Sequence, residues 1–241
     1  MQMFFLLKCF FSVLIGFIRK ILTKLFHMKH SISEHQKKLL HNFLSEHQVL
    51  LEEKSIEKLY IYSDMLIKEN ESTNLISNND TPKFLSRHIC DSLVPYIFYK
   101  DYIKDDFKWA DIGSGGGCPV IPLCIILPKV EFFAVEPRKK RALFLEKVKN
   151  NLKLNNFNVI DKKFESANFK NLDIVSARAV STFENDWARA ENSLKVGGKF
   201  ITLKSLTSIL HLKEDEKNNI IQYELPEESQ QYAIVSRGKY V

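Results

Sequence analysis

The scarcity of several features narrows the class of this chain before any motif is read. It holds four cysteines, Cys9, Cys90, Cys118 and Cys124, and no C-x-x-C pair. That is too few for a disulfide framework and lacks metal-ligand spacing, so they read as reduced, mostly buried thiols in a cytoplasmic protein without a metal. There is no internal repeat and no low-complexity tract. With 45% hydrophobic and 27% charged residues, wholesale disorder is excluded. The apolar stretch Phe4–Ile18 is broken by Lys8 and Ser12 and falls short of the roughly 18 residues of a spanning helix.

Acidic residues are missing from residues 1–27, which hold Lys8, Arg19, Lys20 and Lys24. A secretory signal would place its positive charges first and a small-residue cleavage site afterwards, and neither is present. The segment reads as upstream sequence translated from a mis-chosen start, with Met28-Lys29-His30-Ser31-Ile32-Ser33 resembling a natural N-terminus. An interfacial membrane anchor and a marginal membrane segment are the alternatives. Without it, 31 basic residues face 29 acidic ones. Any affinity for nucleic acid must therefore come from local clustering of charge.

A chain of 241 residues suits one large domain, or one domain with a smaller lobe. Helical patterns come first. Ser33 with Gln36 has the form of a capping box before Leu39, Leu40, Phe43 and Leu44. A second helix covers Ile56–Glu69, Asn70–Asn79 reads as loop, and Thr81-Pro82 starts a third helix carrying Phe84, Leu85, His88, Ile89 and Leu93. Strands and helices then alternate: strands at Phe107–Ile112, Val130–Glu136, Phe157–Asp161 and Leu172–Ala177, with helices at Pro119–Leu127, Pro137–Leu152 and Thr182–Leu194. Val196–Lys199 reads as a turn into the strand Phe200–Leu203. Alternation of this kind implies a parallel sheet covered on both faces. Two late runs, Ile220–Glu224 and Tyr232–Ser236, lack a long helix between them and suggest an antiparallel ending.

The chemistry centres on Asp111-Ile-Gly113-Ser-Gly115-Gly-Gly117-Cys118-Pro119. Glycines at this spacing let a strand turn into a helix and let backbone approach a ligand closely. The next strand ends in Glu136, where a carboxylate can accept hydrogen bonds from ribose hydroxyls. A dinucleotide fingerprint requires a third glycine where Cys118 stands, and Asp111 would repel a pyrophosphate. S-adenosylmethionine carries a sulfonium, an α-ammonium and a ribose diol but no phosphate, so acids at two strand ends suit it better.

Several segments together resemble the bacterial 16S ribosomal RNA guanine-N7 methyltransferases (RsmG/GidB). They are the glycine loop with Pro119-Val-Ile-Pro-Leu123, Asn74-Leu75-Ile76, and His88-Ile-Cys-Asp91-Ser-Leu93. Downstream follow Lys139-Lys140 with Phe144-Leu145, Phe164-Glu165, Ser176-Ala-Arg178-Ala179-Val180, and Leu203-Lys204. The resemblance covers about Ser33 to Lys204. It implies a Rossmann-like class I methyltransferase fold, a seven-stranded mostly parallel α/β sheet with an N-terminal helical extension. Residues 28–105 would form the helical region and 106–241 the methyltransferase domain. It also implies S-adenosyl-L-methionine as donor, 16S ribosomal RNA, in a ribosomal particle, as acceptor, and cofactor contacts at Gly113, Cys118, Phe164, Glu165 and Arg178, to which the strand-end reading adds Glu136. Cys118 replaces a large apolar residue of the family, and Val120 a glycine.

Guanine N7 has a free lone pair and no proton, so methylation there needs alignment and charge tolerance rather than a general base. No catalytic residue is assigned. Arg178, at a strand end, matches a methionine carboxylate or an RNA phosphate, the plainer alternative being an exposed arginine paired with Glu184. His88 and Asp91, a helical turn apart, read as a structural pair. Arg138, Lys139, Lys140, Arg141, Lys147, Lys149 and Lys153 form a basic helix, to which Arg87, Lys199, Lys204 and Arg237 could add an RNA-phosphate surface; a solvated helix face is the plainer alternative. Other functions stay open: methylation of a small molecule or protein, or a non-catalytic nucleotide-binding or membrane-associated regulator.

Overall fold

Alternating side chains on the strands sort the apolar residues onto two faces of one sheet. The computed structural model describes residues 32–178, 180–212 and 218–240. The segment 1–27, and with it the reading of Met28 as the natural start, lies outside the described residues. Among the described residues there are seven strands: β1 Lys108–Ile112, β2 Glu131–Val135, β3 Phe157–Ile160, β4 Leu172–Arg178, β5 Leu194–Ser205, β6 Asn218–Tyr223 and β7 Tyr232–Gly238. Their order is β3-β2-β1-β4-β5-β7-β6. β1 to β5 pair in parallel, and β7 runs antiparallel to both neighbours. This is the expected mostly parallel sheet with an antiparallel ending.

Helices α1 Glu34–Glu46, α2 Glu53–Thr73, α3 Cys90–Tyr99, α4 Val120–Ile126 and α5 Lys139–Leu152 contribute to one apolar cluster, with Trp109, Phe132, Ile174, Ile201 and Ile234 from the sheet. On the other face Ala110, Val135, Val175, Phe200 and Val235 pack with Phe183 and Ala190 of α6 Phe183–Ala190. Trp109, Phe132 and Phe144 are essentially fully buried. Each such side chain contributes about 1.5–3 kcal/mol relative to an exposed one.

Four local expectations change. Ser33 caps α1 by accepting from the Gln36 amide at 3.3 Å, but the Gln36 side chain turns away and accepts from the amide and hydroxyl of Ser86, each at 3.1 Å. The half of the capping box that would return to Ser33 is used to tie α1 to the next helical layer. α2 continues to Thr73, past the expected loop start at Asn70. Gly197 and Gly198 do not end a loop but lie within β5, whose register against β4 shifts between Leu172 and Ile174. The third helix begins as a 3-10 turn, Asn78–Lys83, then a π-helical turn, Phe84–Ile89, that carries His88 into α3.

The chain runs outward from β1 through β2 to β3, then returns to the other side of β1 as β4. Ligands of open α/β sheets bind at such a reversal, beyond the carboxyl ends of the strands. Among the described residues, no helix is long and apolar enough to cross a membrane.

Candidate cofactor cleft

The loop after β1 makes the floor of a cleft of about 380 Å³. This volume lies within the range of small-molecule sites. Gly117 has φ +100°, and a Cβ there would stand 2.3 Å from Ile121 Cδ1. The backbone conformation favours glycine, and a side chain there would also have to displace Ile121 and Leu145. Gly115 also has positive φ, +55°. Its amide donates to Glu136 Oε2 at 2.9 Å, while Glu136 Oε1 accepts from the Arg138 amide at 2.8 Å. A buried carboxylate at the end of β2 thus holds the glycine loop and the entry to α5 together. Each oxygen keeps a second lone pair for a ligand hydroxyl.

Beneath the loop, Asp111 is buried. It accepts from Ser176 Oγ at 2.6 Å, and Ser176 in turn accepts from Trp109 Nε1 at 2.9 Å. Burial pushes the Asp111 carboxyl up to about 7, against the lowering effect of its serine hydrogen bonds. Its side chain ties β1 to β4 behind the loop and its carbonyl accepts from Ser114 Oγ at 3.1 Å, so this strand-end acid does not line the cleft.

The second wall comes from α2 and the chain that follows it. Tyr62 Oη donates to the Gly116 carbonyl at 2.8 Å and lies 3.2 Å from Cys118 Sγ. Asn70 Oδ1 accepts from the amides of both Leu75 and Ile76, at 2.7 and 2.9 Å. Those two apolar residues line the cleft with Leu66, Cys118 and Val180. Opposite, Arg178 at the end of β4 donates to Asp91 Oδ2 at 3.0 Å and bonds His88 Nδ1 at 2.9 Å. Asp91 Oδ1 accepts from Tyr223 Oη.

Five of the six expected contact residues, Gly113, Cys118, Glu136, Phe164 and Arg178, line this one cleft. Glu165 does not. Its exposed carboxylate pairs with Arg189, which does line the cleft. Arg178 is not paired with Glu184, which instead takes Arg237 in a bidentate bridge at 2.7 and 2.8 Å. His88 and Asp91 meet through Arg178 rather than directly. The sequence does not single out Tyr62, Asn70 or Arg189: Tyr62 lies inside the expected second helix, Asn70 at the expected loop start, and Arg189 in no motif.

The basic residues also divide. Arg138 and Arg141 line the cleft, and Lys140 is exposed beside them. Lys139 pairs with Asp161, Lys147 with Glu69, Arg87 with Glu228 and Asp80, and Lys204 with Asp186. Lys199 lies over the Tyr102 ring.

The chain resembles known proteins in sequence and in fold. A protein of Ectopseudomonas mendocina named ribosomal RNA small subunit methyltransferase G is 37% identical over 144 residues, 58% of this chain and 65% of that protein. Its namesake from Corynebacterium diphtheriae is 30% identical over 167 residues, 68% of this chain and 73% of that protein. The matched stretches therefore span about two thirds to three quarters of these relatives. Among solved structures, a precorrin-6y C5,15-methyltransferase from Geobacter metallireducens superposes with a TM-score of 0.50 at 15% identity, covering 69% of this chain and 92% of that one. At that identity the likeness concerns the fold alone, which is the Rossmann-like α/β arrangement of methyltransferases. The sequence profile of the rRNA small subunit methyltransferase G family matches residues 55–237. Every residue that lines the cleft, from Leu66 to Arg189, falls inside that stretch, and the chain belongs to this family.

Proposed function

We propose that this protein is an S-adenosylmethionine-dependent methyltransferase that modifies N7 of a guanine in 16S ribosomal RNA, within a ribosomal particle. The observation that carries the reading is that the family match encloses the whole cleft at the sheet's topological switch point. The residues suit the cofactor. The floor is glycine backbone that a Cβ would crowd, Arg178 offers N–H donors for a carboxylate, Glu136 offers lone pairs for ribose hydroxyls, and Phe164 and Cys118 offer apolar surface.

When bound, S-adenosylmethionine supplies an electrophilic methyl group on a sulfonium. The protein's task is then to orient the acceptor and exclude water. Leu75, Ile76 and Val180 provide an apolar mouth for a flat base, with the first two fixed by Asn70. The carboxylate among the lining residues, Glu136, is engaged by two backbone amides, an arrangement that suits a reaction in which no proton is removed. Arg138 and Arg141 line the cleft and, with the exposed Lys140 at the start of α5, offer cations for RNA phosphates.

The reading is tested by mapping N7-methylguanosine in 16S RNA from cells with and without the gene, by borohydride and aniline cleavage. One cleavage site should vanish without the gene; an unchanged map refutes the assignment. Labelled methyl entering protein or small molecules instead of RNA would support a different substrate class.

A further inference from the structure

Arginine donates hydrogen bonds and accepts none. In the contact between Arg178 Nη2 and His88 Nδ1, at 2.9 Å, the histidine nitrogen must therefore be the unprotonated acceptor. The ring proton then sits on Nε2, which faces Asp80 Oδ2 at 3.3 Å without the alignment of a hydrogen bond. Burial, with the nearby Arg178 and Arg87 charges, holds His88 well below the ordinary histidine pKa and keeps the ring neutral. On the other terminal nitrogen, Asp91 accepts at 3.0 Å, and Tyr223 steadies its second oxygen.

The guanidinium is thus gripped at both ends by groups from the helical region, although it is carried on the sheet. The two bonds use one N–H on each terminal nitrogen, leaving three N–H groups of the five. Arg178 lines the cleft while its side chain is only 17% exposed. A surface phosphodiester is poorly placed to reach so sheltered a group, whereas a small ligand inside the cleft can. Asp91 already balances the arginine's charge, so the site offers directional donors rather than bare positive charge. A zwitterion that brings its own ammonium suits such a site better than a phosphate does.

We propose that His88 and Asp91 are positioning residues that clamp Arg178 so that its remaining N–H groups receive the α-carboxylate of the methionine moiety of an S-adenosyl ligand. The inference rests on the cofactor reading of the cleft given above. It assigns a ligand-directed task to a buried triad whose members come from the π-helical turn, α3 and β4.

Calorimetry with two probes tests it: S-adenosylhomocysteine, which carries the amino-acid carboxylate, and 5′-methylthioadenosine, which lacks it. His88→Leu removes the acceptor and should weaken S-adenosylhomocysteine about tenfold while changing methylthioadenosine less than about twofold. His88→Asn, which can place an amide oxygen near the Nδ1 position, should restore most of the loss. Asp91→Asn, nearly isosteric and so the gentler variant for folding, should show the same selective loss. Equal losses for both probes, or no loss for either, would overturn the clamp while leaving the cofactor reading intact. Wild-type protein that binds neither probe would overturn the cofactor reading, and the clamp with it.

Discussion

Glu136, at the end of β2, accepts the Gly115 amide at 2.9 Å across the floor of the cleft. With its second oxygen on the Arg138 amide, this carboxylate is a structural brace as well as a candidate ribose contact.

Glu136→Gln should therefore lower stability together with ligand affinity. The substituted amide presents N–H where one backbone N–H needs an acceptor, and losing a hydrogen bond to a charged group costs about 1.5–3 kcal/mol. Urea denaturation and calorimetry with S-adenosylhomocysteine measure the two effects. Unchanged stability with lost affinity would make Glu136 a ligand contact alone.

Gly117→Ala and Gly197→Ala separate backbone strain from crowding. Both glycines have positive φ, +100° and +80°, but nothing lies within 4 Å of a Cβ at Gly197, whereas Ile121 Cδ1 would be 2.3 Å from one at Gly117. The left-handed conformation costs a non-glycine residue about 1–2 kcal/mol, and overpacking adds about 1–3 kcal/mol. Gly117→Ala should be the more destabilising by about that second amount in chemical denaturation. Equal effects would mean that α4 shifts freely to make room.

The Asp111 carboxyl should shape the pH dependence of stability. Its folded pKa of about 7 lies above the ordinary carboxylate value, so between about pH 4 and 7 the folded state holds a proton that the unfolded state has released. Its contribution is complete below pH 4 and is lost as pH rises through 7. Asp111→Asn keeps an oxygen for Ser176 but cannot ionise. Relative to wild type, the variant should gain stability progressively from pH 4 to about 7. Parallel stability profiles would show that Asp111 stays ionised in the fold.

Cations near the cleft should act on RNA, and cations already paired should act on the fold. Arg138→Ala with Lys140→Ala should weaken binding of ribosomal RNA and shallow its salt dependence by about one unit of log-log slope per lost phosphate contact. Arg237 is bridged to Glu184 and lies 4.6 Å from the Phe183 ring centre, so Arg237→Ala should reduce stability and leave RNA affinity unchanged. An RNA defect in Arg237→Ala with no stability loss would move the binding surface.

Much of this architecture was legible in the chain because it depends on short-range signals. The strand-helix alternation, the glycines of the loop and the acid ending β2 lie within one continuous stretch, and each follows from local backbone geometry. Asn70 was not legible, because α2 outruns its polar sequence and the side chain caps Leu75 and Ile76 only once the helix has ended. The Val196–Lys199 turn misled because a shift of register keeps Gly197 and Gly198 inside β5.

The sequence by itself determined the fold class, the loop that forms the cleft floor and, through its motifs, the family. Only the tertiary structure decided the partners of the charged groups. Tyr62 reaches a carbonyl 54 residues away, and Arg178 chooses an acceptor 90 residues upstream over the nearby Glu184. Burial drives that choice: a nearly enclosed guanidinium must find hydrogen-bond acceptors among the groups the packing brings beside it, and their identity depends on how the helices meet the sheet.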